Sequence, residues 1–238
     1  MAEKGVLYMI PCPISDATAV YDVVPQANRD VINSLDYFIV ENVRSARRFL
    51  SKAGIERKID DLEFVELNEH TKAGVAVEAM VRPIMEGRSA GVISEAGVPG
   101  VADPGAMVAE ACHRRGIRVI PLVGPSSILL AMMASGLNGQ SFAFNGYLPV
   151  KPAERAKAIK TFERRAQSER QSQIFIEAPY RNVKLVEQIL SVCAPVTRLT
   201  IACDITSPEE IIITRSIEEW RRGGLPDIAK RPTIFIIG

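Results

Sequence analysis

Short apolar runs alternate along this chain with stretches in which apolar residues recur every three or four positions, and that alternation predicts its elements. Gly5 to Ile10 reads as a buried strand, which Pro11-Cys12-Pro13 ends because neither proline can donate to a ladder. Val24 to Leu35 places Val24, Ala27, Val31, Ile32 and Leu35 on one helical face, and Asp36 to Val40 returns to strand. A basic helix from Arg44 to Lys52 follows, closed by Gly54. Leu62 to Leu67 is a further short strand, and Lys72 to Glu86 a further helix. Val92 and Ile93 close another apolar run, Asp103 caps a helix with Pro104 at its first position, and Ile117 to Leu122 is the next strand. Strands that alternate with helices in this way call for a parallel sheet.

The second half has a different rhythm. An apolar helix from Ile128 to Ser135 leads to a strand from Ser141 to Phe144, and then to a long charged helix carrying Lys151, Arg155, Lys157, Lys160, Arg164 and Arg165. Gln173 to Glu177 reads as a strand and Val183 to Val192 as an amphipathic helix. Leu199 to Cys203 and Glu210 to Thr214 are strands separated only by Asp204 to Glu209, too short a connection for a parallel crossover. A helix around Ile217 to Arg222 and a strand from Thr233 to Ile237 complete the pattern. The expected fold class is therefore α/β, with two α/β domains: residues 1–121 around a parallel sheet and residues 122–238 around a mixed one.

Composition narrows the function classes. A formal net charge of +1 gives no global pull toward nucleic acid or membrane, so any RNA contact must come from a local basic patch. Cys12, Cys112, Cys193 and Cys203 form no C-x-x-C pair, which argues against a metal site and a disulfide framework and fits reduced thiols in the cytoplasm. The start of the chain lacks the apolar length of a signal sequence. Val119 to Val150 contains no charge, but its prolines and glycines leave Ile128 to Ala134 as the longest apolar piece, too short for about 30 Å of hydrocarbon. No membrane partner is expected.

The chemistry concentrates in loops. From Val92 to Gly105 the chain reads V-I-S-E-A-G-V-P-G-V-A-D-P-G, a loop crowded with glycine and proline that leaves the carboxyl end of a strand. In a parallel α/β sheet that edge binds ligands, and bare backbone lets a cofactor lie against the main chain. A tight turn without a ligand is the plainer explanation of such a loop alone. Val123-Gly124-Pro125-Ser126-Ser127 opens the next helix, where capping is commoner than anion binding, and the absence of Lys argues against a Walker phosphate loop. His70, one of two histidines, follows a strand end; a lone histidine there is more often structural than catalytic. The charged helix is more often a solvated face than an RNA footprint.

Several motifs recur in order: L-Y-M-I-P-C-P-I, S-E-A-G-V-P-G-V-A-D-P-G, G-I-R-V-I-P-L-V-G-P-S-S, G-Y-L-P-V-K and E-A-P-Y-R. In these the chain resembles the tetrapyrrole methylase superfamily and, more closely, the ribosomal RNA small-subunit methyltransferase I family, as a divergent short member. The resemblance implies an enzyme that uses S-adenosylmethionine, without a metal, to methylate a cytidine ribose at its 2′-oxygen in ribosomal RNA. It also implies a homodimer and a cofactor cleft between two α/β domains. Carried over by position, the cofactor residues are Pro11, Ser94, Glu95, Ala96, Gly97, Val98, Val101, Ser126, Ser127, Glu177, Pro232 and Thr233. A sulfonium needs no phosphate cradle, only main-chain polar groups and a dry wall, which such loops supply.

The acceptor side departs from the family pattern. Glu41-Asn42-Val43-Arg44 stands where Glu-Asp-Thr-Arg is usual, Glu95 where Asp is usual, Asn68 for the first residue of a His-x-His motif that ends at His70, and Tyr180 for a histidine. Ala202-Cys203-Asp204 replaces Ala-Arg-Glu, and Lys230-Arg231-Pro232 replaces Lys-Gly-Glu. A ribose hydroxyl needs a base to take its proton, and His70, Glu41 and Asp204 are the candidates, His70 foremost because it titrates nearest neutrality. Arg44, Lys151, Arg155 and Arg181 are the candidate RNA contacts. The alternatives are a methyltransferase acting on a tetrapyrrole or other small molecule, and a cofactor-binding protein that has lost catalysis.

Overall fold

The computed structural model describes residues 3–67 and 75–238. The chain divides into two units, Met1–Ser126 and Ser127–Gly238. In the first, β1 (Val6–Ile10), β2 (Tyr37–Val40), β3 (Glu63–Glu66), β4 (Ala90–Ile93) and β5 (Arg118–Pro121) form one sheet in the order β3-β2-β4-β1-β5. Every pairing in it is parallel, so all five strands end at one edge. Alternate residues feed opposite faces, as the pleat requires. Leu7, Met9, Tyr37, Ile39 and Val92 pack with Val81 and Val108 of α4 (Val75–Met85) and α5 (Gly105–Arg114). Ile10, Phe38, Val40 and Ile93 pack with Ile32 of α2 (Asn28–Ser34) and Leu50 of α3 (Val43–Lys52).

The helix expected over Val24 to Leu35 is in fact two pieces. A single turn, α1 (Val20–Val23), ends at Val24, which is extended at φ −110° and ψ 130°, and α2 begins only at Asn28. Pro25 explains the break, because its ring disfavours helical geometry in the residue before it. The expected start of α4 at Lys72 lies outside the described residues. The helix starts one residue later than expected, with Pro104 at the N-cap and Gly105 the first residue of α5; Asp103 still braces this start, its Oδ1 accepting from the Gly105 amide at 2.6 Å and its Oδ2 from the Gly100 amide at 2.8 Å, so one carboxylate links the helix to the loop before it.

The division between the units falls after Ser126, beyond the expected boundary at residue 121, because the loop after β5 stays with the first unit. Leu122 donates its amide to Met9 O at 2.9 Å, and Asn28 Nδ2 donates to Val123 O at 2.9 Å.

In the second unit the sheet order is β6-β7-β10-β8-β9, from β6 (Phe142–Tyr147), β7 (Ser172–Ile176), β8 (Arg198–Cys203), β9 (Ile211–Ser216) and β10 (Thr233–Ile237). Only β6 and β7 pair in parallel; β10 is antiparallel to both its neighbours, and β8 to β9. This is the mixed sheet that the short Asp204 to Glu209 connection predicts. Phe175, Ile201 and Phe235 face α7 (Pro152–Ser168), α8 (Asn182–Val192) and α9 (Ile217–Gly223), with Trp220 fully buried among them. Ile174, Ala202 and Ile236 face α6 (Ser127–Ser135). Glu163 of α7 is buried, and its Oε1 accepts from the Ala194 amide at 2.5 Å and Thr197 Oγ1 at 2.6 Å, while Lys160 Nζ lies 2.9 Å from its Oε2. Burial pushes this carboxyl up, but the hydrogen bonds from Thr197, Ala194 and Lys160 outweigh it and hold its pKa below the ordinary 4.5.

Candidate functional site

The carboxyl edge of the first sheet is built from backbone. Cys12, just beyond β1, and Gly97, just beyond β4, exchange two main-chain hydrogen bonds, 2.8 Å from Cys12 N to Gly97 O and 3.1 Å from Gly97 N to Cys12 O. Gly97 has φ +70°, a conformation that penalises any side chain, although a Cβ there would meet only Pro125 O at 3.5 Å. At Gly124 the constraint is space, since a Cβ would lie 2.3 Å from both Cβ and Cγ of Pro11. The Pro11, Gly97 and Gly124 loops thus interlock at one edge. Ala102, at φ 62°, adopts the left-handed region without being glycine, at a cost of about 1 kcal/mol. Such strain concentrates where a loop geometry is imposed by use.

Around this edge Ser94 is buried with its hydroxyl on Ala96 O at 3.3 Å, while Ala96 and Val101 are exposed and Val98 is half-buried. Glu41, beyond β2, accepts the Glu95 amide on Oε2 at 3.2 Å, and the Glu95 carboxylate accepts from Ser45 Oγ at 3.2 Å. The structure therefore brings Pro11, Glu41, Ser94, Glu95, Ala96, Gly97, Val98 and Val101 to one edge of one sheet, and Ser126 follows in the loop after β5. Asn42, where the resemblance has Asp, keeps the capping role: its Oδ1 accepts from the Ser45 amide at 3.0 Å and starts α3.

The second unit holds Glu177, Arg181, Asp204 and Thr233 through hydrogen bonds of side chains. Glu177, just beyond β7, has a fully buried side chain whose Oε1 accepts from the Ala178 amide at 2.8 Å and from Arg181 Nε and Nη2 at 2.9 and 2.6 Å. Its Oε2 is buried without a hydrogen-bond partner. The Glu177 hydrogen bond raises the Arg181 pKa above its ordinary value, with Tyr180 and Tyr147 close enough to contribute. Asn182 Nδ2 donates to Ile228 O, Arg231 O and Thr233 Oγ1, tying the segment before β10 to α8. Asp204, at φ 49° beyond β8, is held by Arg231 Nε at 2.7 Å, and the same guanidinium donates to Asp227 O and Glu209 O. Two departures from the family pattern, at positions 204 and 231, are thus one ion pair.

The candidate RNA contacts differ in exposure. Arg44 is exposed, and Lys151 is exposed beside Glu154 at 3.3 Å. Arg155 is 8% exposed and donates its Nε to Gln188 Oε1, so it joins α7 to α8 and is withdrawn from the solvated face where the sequence puts it. Arg181 is half-buried on Glu177. Ser127 opens α6, Thr233 is buried, and Pro232 accepts the Asp204 amide on its carbonyl at 2.9 Å. His70 lies outside the described residues. Among the described residues no group of three His, Cys, Asp or Glu could hold a metal ion, and no helix is long and apolar enough to cross a membrane.

Sequence reasoning passes over Tyr147. It ends β6 beside Ile176 of β7, after a β-bulge in which Gly146 sits at φ +64°. Asn145 Nδ2 braces that bulge through Ala143 O, Gln173 Oε1 and Ile174 O. A bulge re-aims the residue after it, and here Tyr147 is 64% exposed. Its place in the G-Y-L-P-V-K motif, directly after Gly146, is the signal that could have found it.

No family model matches the chain. Among curated proteins, the ribosomal RNA small subunit methyltransferase I of Escherichia coli O157:H7 is 31% identical over 210 residues, covering 88% of this chain and 68% of that protein. The protein of the same name from Vibrio cholerae is 32% identical over 207 residues, 87% of this chain and 67% of the relative. The one from Xylella fastidiosa is 27% identical over 237 residues, covering 100% of this chain and 82% of the relative. Among solved structures, the methyltransferase CobJ superposes with a TM-score of 0.65 at 18% identity, over 98% of this chain and 94% of that one. The uroporphyrin-III C-methyl transferase of Thermus thermophilus, complexed with S-adenyl homocysteine, gives 0.58 at 15% identity, over 98% and 97%. At these identities the structural likeness establishes the fold.

Proposed function

Because the chain belongs to the ribosomal RNA small-subunit methyltransferase I family, we propose that it transfers a methyl group from S-adenosylmethionine to ribosomal RNA, at the 2′-oxygen of a cytidine ribose. The observation that carries this reading is the interlocked backbone edge of the first sheet, where the Cys12–Gly97 pair and the Gly124–Pro11 contact leave main chain rather than side chains against a ligand. S-adenosylmethionine suits the first unit's edge, since no phosphate has to be neutralised; in the second unit, the buried, unpartnered Glu177 Oε2 can accept from an amino or hydroxyl donor. We assign cofactor contacts to Pro11, Ser94, Glu95, Ala96, Gly97, Val98, Val101 and Ser126 in the first unit, and to Ser127, Glu177, Pro232 and Thr233 in the second. The same reading has the protein working as a cytoplasmic homodimer.

When bound, the cofactor supplies an electrophilic methyl on sulfur. The chain's own task is to hold the acceptor oxygen in line with it, which carries much of the rate, and to receive the hydroxyl proton. Of the three candidate bases, Asp204 already accepts from Arg231 Nε and Glu41 from the Glu95 amide, so each is engaged with a protein partner. His70 remains as the group that contacts the acceptor or takes its proton. Single-turnover transfer of labelled methyl from S-adenosylmethionine into small-subunit RNA tests the assignment. Replacement of His70 by alanine should slow transfer by about 100- to 10,000-fold with cofactor affinity unchanged. A wild-type protein that binds no S-adenosylmethionine, or labels no RNA, would overturn the function; an undiminished His70→Ala rate would overturn only the base.

A further inference from the structure

Two tyrosines stand at the carboxyl end of the parallel pair β6 and β7, and neither is buried. Tyr147 is 64% exposed and Tyr180 is 70% exposed. Strand register sets Tyr147 against Ile176, the residue before Glu177, and Tyr180 sits in the turn that follows β7. The Arg181 guanidinium lies over the Tyr180 ring, 5.3 Å from its centroid, and is fixed there by two hydrogen bonds to the buried Glu177 carboxylate. One face of that ring is therefore occupied by a pinned cation while the side chain as a whole stays open to solvent. Aromatic rings left in water beside an arginine are what proteins use to stack unpaired bases, because every base offers a flat π-face.

From this arrangement we infer that Tyr147, Tyr180 and Arg181 form a stacking platform for an unpaired RNA base at or beside the methyl acceptor. The inference rests on the RNA reading proposed above and names the element that would grip the strand. The surrounding charge agrees in sign: Lys184 on the first turn of α8 is exposed, as is Lys230, whose amide donates to Pro179 O at 3.1 Å beside Tyr180. It is modest in amount, since Glu177 offsets Arg181 and Glu154 offsets Lys151. Stacking rather than phosphate neutralisation then supplies most of the grip. Two consequences follow: unpaired RNA is preferred over duplex, whose bases are already stacked, and the tyrosines contribute affinity without contributing to its salt dependence.

The platform is also suited to being built. The positive φ of Gly146 and the bracing by Asn145 fix the backbone that carries Tyr147, and the Glu177–Arg181 pair holds the guanidinium over the Tyr180 ring, so little backbone order has to be gained on binding.

The test uses the full chain and a short single-stranded RNA carrying 2-aminopurine, whose fluorescence is quenched on stacking, with the same strand annealed to its complement as control. The wild type should bind the single strand more tightly than the duplex and quench the probe. Tyr180→Ala and Tyr147→Ala should each weaken binding by about 5- to 150-fold, with the salt slope unchanged, while Tyr180→Phe and Tyr147→Phe keep the affinity. Both side chains are exposed, so neither truncation opens a cavity, and circular dichroism verifies the fold. RNA bound equally by wild type and both alanine variants would overturn the platform and leave the RNA reading standing. A wild type that binds no RNA but binds a porphyrin macrocycle would overturn both. A change of molar mass in solution on Tyr180→Ala, with RNA affinity kept, would mean that a second copy of the chain covers the rings, and would overturn the platform as well.

Discussion

The two units hold their candidate site residues by opposite construction. In the first, the geometry is carried by main chain: Cys12 and Gly97 exchange amide hydrogen bonds, Gly124 lies against Pro11, and Asp103 closes the loop onto Gly100 and Gly105. In the second, it is carried by side chains, with Glu177 on Arg181, Asp204 on Arg231, and Asn182 on three acceptors. A backbone-built edge tolerates changes of side-chain chemistry and fails when an atom is added at a glycine. A side-chain-built edge tolerates added bulk at its exposed rim and fails when one partner of a buried pair is removed, because the other is left desolvated.

Adding a single carbon to the first edge should have the largest effect. Gly124→Ala places Cβ inside the Pro11 ring, which cannot rotate away, so the two loops must part. Destabilisation of about 3 kcal/mol, read by chemical denaturation, and loss of S-adenosylmethionine binding in titration calorimetry are expected. Glu95→Gln, which leaves the Glu95 amide on Glu41, should change cofactor affinity little.

Removing a buried partner in the second unit should come next. Glu163→Ala strands the Ala194 amide and the Thr197 hydroxyl, and about 2 kcal/mol of stability should go with them. The wild type carries the same contribution conditionally. The folded-state pKa of Glu163 lies below 4.5, so the stabilisation is complete above the unfolded value and disappears as pH falls through the folded one. Denaturation midpoints of wild type and variant should therefore differ near neutrality and converge in acid below pH 4.5; a gap constant across that range would show that the carboxylate is not charged in the folded state.

The smallest effect is expected where a glycine serves a side chain. Gly146→Ala meets no atom within 4 Å, so its cost is only that of a non-glycine residue at φ +64°, about 1 kcal/mol. If the bulge is what aims Tyr147, the variant should lose RNA affinity out of proportion to that cost, whereas an unchanged affinity would show that Tyr147 reaches its position without the bulge.

Much of this was legible in the sequence, and the boundary of legibility has a physical location. Parallel strands in the first half and a mixed sheet in the second follow from hydrophobic period and connection length alone. The glycine loop is readable because it is made of residue types that permit a backbone conformation. Pro25 is a lesson in the opposite direction: the apolar spacing from Val24 to Leu35 is helical, but a local steric rule overrides it at Val24. Arg155 shows what periodicity cannot decide, since a long basic helix gives no sign of which arginine turns inward to meet Gln188. Asp204 and Arg231 are far apart in sequence and meet only because β8 and β10 are neighbours in the second sheet. Tyr147 depends on a register shift, which one sequence does not disclose.

The position of β10 carries a consequence for how the protein comes into being. Thr233–Ile237 is the middle strand of the second sheet, hydrogen-bonded to β7 on one side and β8 on the other. While the chain is being synthesised, residues 1–126 emerge complete and can close their own sheet. Once β9 has emerged, the second sheet has two pairs, β6 with β7 and β8 with β9, each with an unsatisfied edge until β10 joins them. Its last pairing links residues distant in sequence, a slow class of contact, and the open edges are aggregation-prone until it is made. The nascent protein therefore passes through an interval, before Thr233–Ile237 is available, in which the first sheet can close while the second still has open edges.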